Sequence, residues 1–262
     1  PGPTALAGAT GTTTATTPPG APILATGAPL VAVQPATDST RSIIRAAETA
    51  APALIPKPAG TLKITMEDQP VLDSRPLFIQ ALAAQRRGDT NRAKELYARA
   101  LDRDPQNADL YNNIGMLYKS TGELDRAEDA YRHAVSLNPK LAAAWSNLGV
   151  LLNERGRRKE AIAALQQAIS VDPSNVGVKV NLALQYYASG LYADARRLLD
   201  EAVRANPTMA EAQYALAQTL EAQGDRSGAI QHYDLFLSTS NGRFPQLERQ
   251  VTQHLATLKA GS

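Results

Sequence analysis

The chain of 262 residues contains no cysteine, which excludes disulfides, thiol catalysis and thiolate metal sites. Its three histidines, His133, His232 and His254, lack the spacing that places two imidazoles on one helix face for zinc. No stretch approaches the roughly 18 uninterrupted apolar residues of a membrane helix. We therefore expect no metal site, and membrane contact only through an anchor that is missing from this chain.

Motifs of catalysis are also missing. The sequence has no glycine-rich phosphate loop, no Gly-x-Ser-x-Gly elbow and no paired carboxylates with a pocket. A formal charge of +2 gives no argument for nucleic acid as a partner. The basic stretch ERGRRKE at residues 154–160 lies at a helix–helix corner, where a solvated turn is favoured over an anion contact. The sequence predicts a non-enzymatic protein without a cofactor.

Charge and aromatic residues are scarce in residues 1–60, which consist mainly of proline, glycine, alanine and threonine. Such a composition buries too little apolar surface to offset the entropy of ordering the chain. We predict a low-complexity linker here, with a partner-docking or glycosylated tail as the alternative. The chain begins with Pro1 rather than methionine, so we expect a fragment or a trimmed chain that has lost a signal peptide or anchor.

Residues 61–73 differ from the linker, because Leu62, Ile64 and Met66 alternate with polar side chains. This is the period of a β-strand. In an otherwise helical chain we interpret it as an extended lead-in. Pairing with the sheet edge of another protein is the alternative.

From residue 74 onward the chain repeats itself every 34 residues, which predicts a stacked repeat architecture. Three series of residues recur in phase, namely glycines, prolines and alanines at Gly88, Gly122, Gly156, Gly190, Gly224; Pro105, Pro139, Pro173, Pro207; and Ala93, Ala127, Ala161, Ala195, Ala229. The five units are residues 74–107, 108–141, 142–175, 176–209 and 210–243.

Each unit predicts two helices, A and B. Helix A spans about 14 residues and ends near the glycine, which tolerates the left-handed turn conformation. Helix B ends at Asp-Pro or Asn-Pro, because proline disfavours helical geometry in the residue before it. Small residues predict where the two helices approach closely, with Gly115, Gly149, Ala183 and Ala217 on the A helices.

These residues resemble the tetratricopeptide repeat. The third unit, with WSNLGVLL followed by AIAAL and a final proline, matches its pattern closely, and the resemblance covers about 170 residues. It implies an all-α, right-handed solenoid. The first unit departs at Gln80 and Ala81, and the fifth at Phe236 and Asn241. Residues 244–262 then predict a capping helix and tail.

In this family the A helices line a concave groove, so the resemblance implies a partner-binding site there. Asn113, Asn147 and Asn181 share one register, and an amide can hold both backbone groups of an extended peptide. The alternative, left open, is a purely structural bond to a neighbouring repeat. The full set of expected groove residues is Asn112, Asn113, Met116, Lys119, Ser146, Asn147, Val150, Asn153, Asn181, Leu184, Tyr187, Tyr214 and Gln218.

The resemblance implies a protein–protein interaction scaffold that binds a protein or an extended peptide. Asp109, Ala143 and Gly177 replace the basic residues with which co-chaperone members hold a carboxylate, so that mode is not expected. The linker-then-repeats layout is similar to type IV pilus and secretion assembly proteins of the bacterial envelope, facing the periplasm. The alternative is a recruiting arm of a larger enzyme such as a glycosyltransferase, in the cytoplasm.

Overall fold

The structure, a computed structural model, describes residues 73–260. The predicted linker at 1–60, the lead-in apart from Asp73, and the last two residues of the tail lie outside this range. Eleven helices follow one another within it: α1 (Arg75–Arg86), α2 (Thr90–Leu101), α3 (Ala108–Ser120), α4 (Leu124–Leu137), α5 (Ala142–Glu154), α6 (Arg158–Val171), α7 (Val176–Ala188), α8 (Tyr192–Ala205), α9 (Ala210–Ala222), α10 (Arg226–Ser240) and α11 (Pro245–Ala260).

The helices pack in sequence. Each odd-numbered helix from α1 to α9 packs along the even-numbered helix that follows it, and each such pair packs against the next. The odd-numbered helices also meet one another, with contacts between α3 and α5 and between α7 and α9. This arrangement confirms the predicted all-α tetratricopeptide solenoid of five helix pairs with a final helix. No helix of the described range is long and apolar enough to cross a membrane.

The turn inside each pair is built around glycine, as expected. Gly156 has a φ of +73°, and the corresponding glycine of every other unit has the same left-handed conformation. The turn closes when Gly156 N–H donates to Asn153 O and Arg157 N–H donates to Leu152 O, both at 2.9 Å. Because the turn begins before the glycine, the odd-numbered helices of the array are 12 or 13 residues long rather than about 14.

The two helices of a pair touch where the sequence has its small residues. A methyl group added at Gly115 would lie 2.6 Å from Cε1 of Tyr131, and one added at Gly149 would lie 2.7 Å from Cγ of Leu165. Tyr131 and Leu165 are themselves 1% exposed. The close approach of helices α3 and α4, and of α5 and α6, therefore depends on the missing side chain.

The array ends where its pattern ends. Asn241, in place of the usual proline, adopts the left-handed conformation with φ 50° and terminates α10. Phe236, in place of a small residue, is buried. Helix α11 covers the exposed apolar face with Val251 and Leu255, which are 1% and 4% exposed. Leu247 and Leu258 pack at the edge of the same cluster.

Candidate functional site

The asparagine register lies on the odd-numbered helices α3, α5 and α7, near the faces that these helices turn to one another. Asn113 and Asn181 are buried, with 2% and 0% of their surface exposed, and Asn147 is half-buried. Such burial requires that polar atoms find partners or cost free energy.

The side-chain amides of two of these asparagines have structural partners. Asn113 Nδ2 donates to the backbone oxygen of Asp109, one turn earlier in α3, at 2.7 Å. Asn147 Nδ2 donates to Oδ1 of Asn112, across the boundary between units, at 2.9 Å. The Oδ1 atoms of Asn113 and Asn147 accept no hydrogen bond from residues 73–260. The amide nitrogens therefore hold the array together, while two carbonyl oxygens remain available as acceptors.

Further polar atoms on these helices are buried without a partner. Ser146 Oγ, Tyr214 Oη and Gln218 Oε1 have no hydrogen bond, although these residues are 0%, 2% and 6% exposed. Burial raises the pKa of the Tyr214 phenol, which stays protonated and able to donate. All three residues belong to the set expected from the sequence.

One residue of this kind was not in the expected set. Gln185 is 3% exposed, and its Oε1 has no hydrogen-bond partner. The signal was present in the repeat register, because the positions 34 and 68 residues earlier, Leu151 and Leu117, are apolar and buried. A glutamine that interrupts a buried apolar series marks a polar requirement at this place.

The apolar members of the expected set form a row. Met116 on α3, Val150 on α5 and Leu184 on α7 occupy the same position of successive units, and each is buried or half-buried. Tyr187 on α7 stacks near Tyr192 with ring centres 5.4 Å apart. We call Met116, Val150 and Leu184 the apolar row below.

Two expected residues have contacts of their own. Tyr214 packs against Phe236, with ring centres 5.2 Å apart, so its ring belongs to the core between α9 and α10. Lys119 on α3 pairs with Glu154 on α5 at 2.7 Å, which joins two units. Asn153 is half-buried at the end of α5.

The basic stretch at residues 154–160 is paired with acidic side chains. Glu128, of which 9% of the side chain is exposed, accepts from Arg155 at 2.8 Å and from Arg157 at 2.6 Å. Burial raises the pKa of Glu128, but hydrogen bonds from Arg157 and Arg132 outweigh it and leave this pKa below its usual value. We call Glu128 with these three arginines the ion cluster. It connects the second unit to the third.

The histidines have local packing partners. His254 on α11 contacts Glu221 on α9 through Nε2 at 2.9 Å, and His232 contacts Gln213 at 2.7 Å. The ring of His133 lies edge-on to Tyr111 at 5.2 Å. Residues 73–260 hold no group of three histidine, aspartate or glutamate side chains placed to bind a metal ion.

Comparison with known proteins assigns the family. A family model described as the C-terminal domain of cilia and flagella-associated protein 70, a tetratricopeptide domain, matches residues 64–244, which is more than half of the chain. No curated protein sequence matches.

Solved structures show the same fold. The pilF structure from Pseudomonas aeruginosa has a TM-score of 0.59 at 23% identity and covers 72% of this chain and 93% of its own. PilW, titled a type IV pilus biogenesis factor, has a TM-score of 0.59 at 22% identity over 71% and 92%. YrrB, titled a tetratricopeptide protein with an unusual peptide-binding site, has 0.58 at 19% over 71% and 92%. At such identities the likeness shows the fold alone.

Proposed function

The chain belongs to the tetratricopeptide family described as the C-terminal domain of cilia and flagella-associated protein 70, and from this premise we propose that it is a scaffold that holds an extended peptide segment of a partner protein along helices α3, α5, α7 and α9. Proteins of this repeat family bind other proteins rather than transform substrates. The proposed site combines the apolar row with the polar atoms of the same helices.

The observation that carries the proposal is the set of buried polar atoms without partners. Native proteins satisfy nearly all such atoms, because each one left alone costs about 1–3 kcal/mol. Ser146 Oγ, Gln218 Oε1 and Tyr214 Oη all lie on odd-numbered helices and all lack a hydrogen bond. A bound peptide would supply the missing donors and acceptors through its backbone.

The asparagine oxygens support recognition of the peptide backbone. Asn113 and Asn147 each use the amide nitrogen internally, which fixes the side chain and points the remaining role at Oδ1 as an acceptor. Neighbouring helices lie about 8–10 Å apart. An extended peptide advances about 3.3 Å per residue, so every third N–H would meet the next helix. Affinity would then depend little on the partner's side chains.

Ser146→Ala separates folding from binding. Removing a buried hydroxyl that has no partner should leave the free energy of unfolding unchanged or raise it by about 1 kcal/mol. If the peptide uses this hydroxyl, its affinity should fall about fivefold to tenfold, which corresponds to one ordinary hydrogen bond. Ser170→Ala is the matched control, because Ser170 is exposed on α6.

The probe is a peptide of 12 residues selected from a displayed random library against the full chain, and its affinity is measured by fluorescence anisotropy. We expect Ser146→Ala and Gln218→Ala to weaken binding while melting temperature is maintained, and Ser170→Ala to have no effect. Selection of no peptide, or equal affinity for all variants, would overturn the proposal.

The cellular setting is a finer part of the same proposal. Assembly of a pilus or secretion machine is supported by the linker-then-repeats layout and by the likeness in fold to PilW. The family description supports a competing setting in cilia or flagella, and the enzyme-arm alternative has only the asparagine register behind it. Fractionation of the tagged natural protein in its own host decides: recovery with the envelope supports the first setting, and recovery elsewhere contradicts it.

A further inference from the structure

The groove has a candidate occupant within the chain itself. We infer that residues 61–72 bind along the apolar row of the same molecule and compete there with the partner peptide. This inference rests on the proposed function, because it assigns a regulator to the same site. Its support comes from the family match, the sequence pattern, the reach of the chain and the order of charges.

The family match includes the segment. It begins at residue 64, whereas the first helix begins only at Arg75. Residues that precede the helices are thus part of the domain that the family shares. A plain tether between a linker and a solenoid would not need to be.

The segment has the pattern that the site requires. Leu62, Ile64 and Met66 alternate with Lys63 and Thr65, so an extended backbone would present three apolar side chains on one face. The apolar row offers a complementary strip on three successive helices. The backbone N–H groups of the segment would be donors for the Oδ1 atoms of the asparagine register.

The segment is long enough. Passing from α1 to α7 along the odd-numbered helices takes three steps, or about 30 Å at 8–10 Å per step. An extended chain covers about 3.3 Å per residue, so the ten peptide steps from Ser74 back to Ile64 reach about 33 Å. Ile64 can therefore reach Leu184 on α7 without displacing α1.

The charges run in the matching order. Lys119 on α3 lies near the start of the path, where Glu67 and Asp68 of the segment would pass. Glu211 on α9 lies near its end, beyond Leu184, where Lys63 would arrive. Lys119 pairs with Glu154, and Glu211 pairs with Arg243 at 3.5 Å, so these charges set the direction of binding more than its strength.

Attachment makes a weak interaction effective. A tethered segment has an effective concentration on the order of millimolar at its site, so it competes even when its intrinsic affinity is low. A partner peptide would bind to the full chain less tightly than to a chain whose segment cannot bind. Partner binding would in turn release residues 61–72.

The absence of cysteine allows a direct test in the full chain. Two double variants are compared, Ile64→Cys with Leu184→Cys and Ile64→Cys with Gln167→Cys, where Gln167 is exposed on the even-numbered helix α6. Each is treated with a short bismaleimide, and intramolecular products are quantified by mass. Circular dichroism confirms that both variants are folded. We expect about tenfold more cross-linking in the Leu184 pair, as a local concentration difference predicts.

Equal cross-linking in both pairs would overturn the inference, and so would products that are exclusively dimers, since a second copy would then fill the groove. A binding arm tests competition: Ile64→Asp with Met66→Asp should raise the affinity for the library-selected peptide about threefold or more if a tethered competitor is removed. Leu30→Asp in the linker should leave it unchanged.

The two proposals fail differently. If cross-linking is equal in both pairs but Ser146→Ala still weakens peptide binding, only the self-binding inference is wrong. If the Leu184 pair cross-links strongly but no peptide can be selected, the scaffold proposal is wrong and the groove serves only its own segment.

Discussion

Replacing Gly115 by alanine tests whether the helix pairs are held at contact distance. In an exposed helix this change would stabilise the protein by about 1 kcal/mol, because glycine has a poor helix propensity. Here the new methyl carbon would lie 2.6 Å and 2.7 Å from two ring atoms of Tyr131, which is buried. Overpacking of this kind costs about 1–3 kcal/mol. We therefore expect a net loss of about 1 kcal/mol.

The assay is equilibrium unfolding in guanidinium chloride, followed by circular dichroism, with an unchanged slope m as the check that only stability has changed. The control background is Tyr131→Leu, which reproduces the alanine–leucine combination that the fourth unit has at Ala183 and Leu199. In that background Gly115→Ala should be neutral or stabilising, so the two effects differ by about 1–2 kcal/mol in a double-mutant cycle. Stabilisation by Gly115→Ala in the wild-type chain would refute the reasoning.

Three further predictions concern the ion cluster and the cap. Glu128→Gln should cost about 1–2 kcal/mol in the same assay, whereas Asp125→Asn, with a side chain 88% exposed beside Arg155, should change stability by less than about 0.5 kcal/mol. Because the pKa of Glu128 is lowered from 4.5 on folding, its contribution should be complete above that value and lost as the pH falls through the lowered pKa; urea midpoints measured from pH 7 to pH 3 should drop less in Glu128→Gln than in wild type. Leu255→Ala should cost about 2–5 kcal/mol locally, and faster hydrogen exchange in α10 and α11 but not in α3 is the expected sign of an uncovered array end.

The repeat register predicts most of the backbone. Glycine at one fixed position requires the left-handed turn, and the missing side chains at Gly115 and Gly149 require close helix contact, so both follow from residue type alone. The end of the array was predictable for the same reason, because Phe236 and Asn241 break the register where no further unit docks.

The polar contacts between units could not be predicted from the register. The bond from Asn147 to Asn112 depends on how far α5 is rotated and shifted against α3, and no single unit contains that information. The same holds for Glu128, whose partners lie in the next unit. Gln185 was missed because the search concentrated on positions that face the groove by family analogy, although its polarity within an apolar series was visible.

The ion cluster gives the array an order that its period hides. Deleting residues 142–175 would keep the 34-residue rhythm and bring the fourth unit directly after the second. Ser189 and Leu191 would then stand where Arg155 and Arg157 stand now, and Glu128 would be enclosed with only Arg132 to balance its charge. The units look interchangeable along the chain, yet the second and third can be neighbours only of each other.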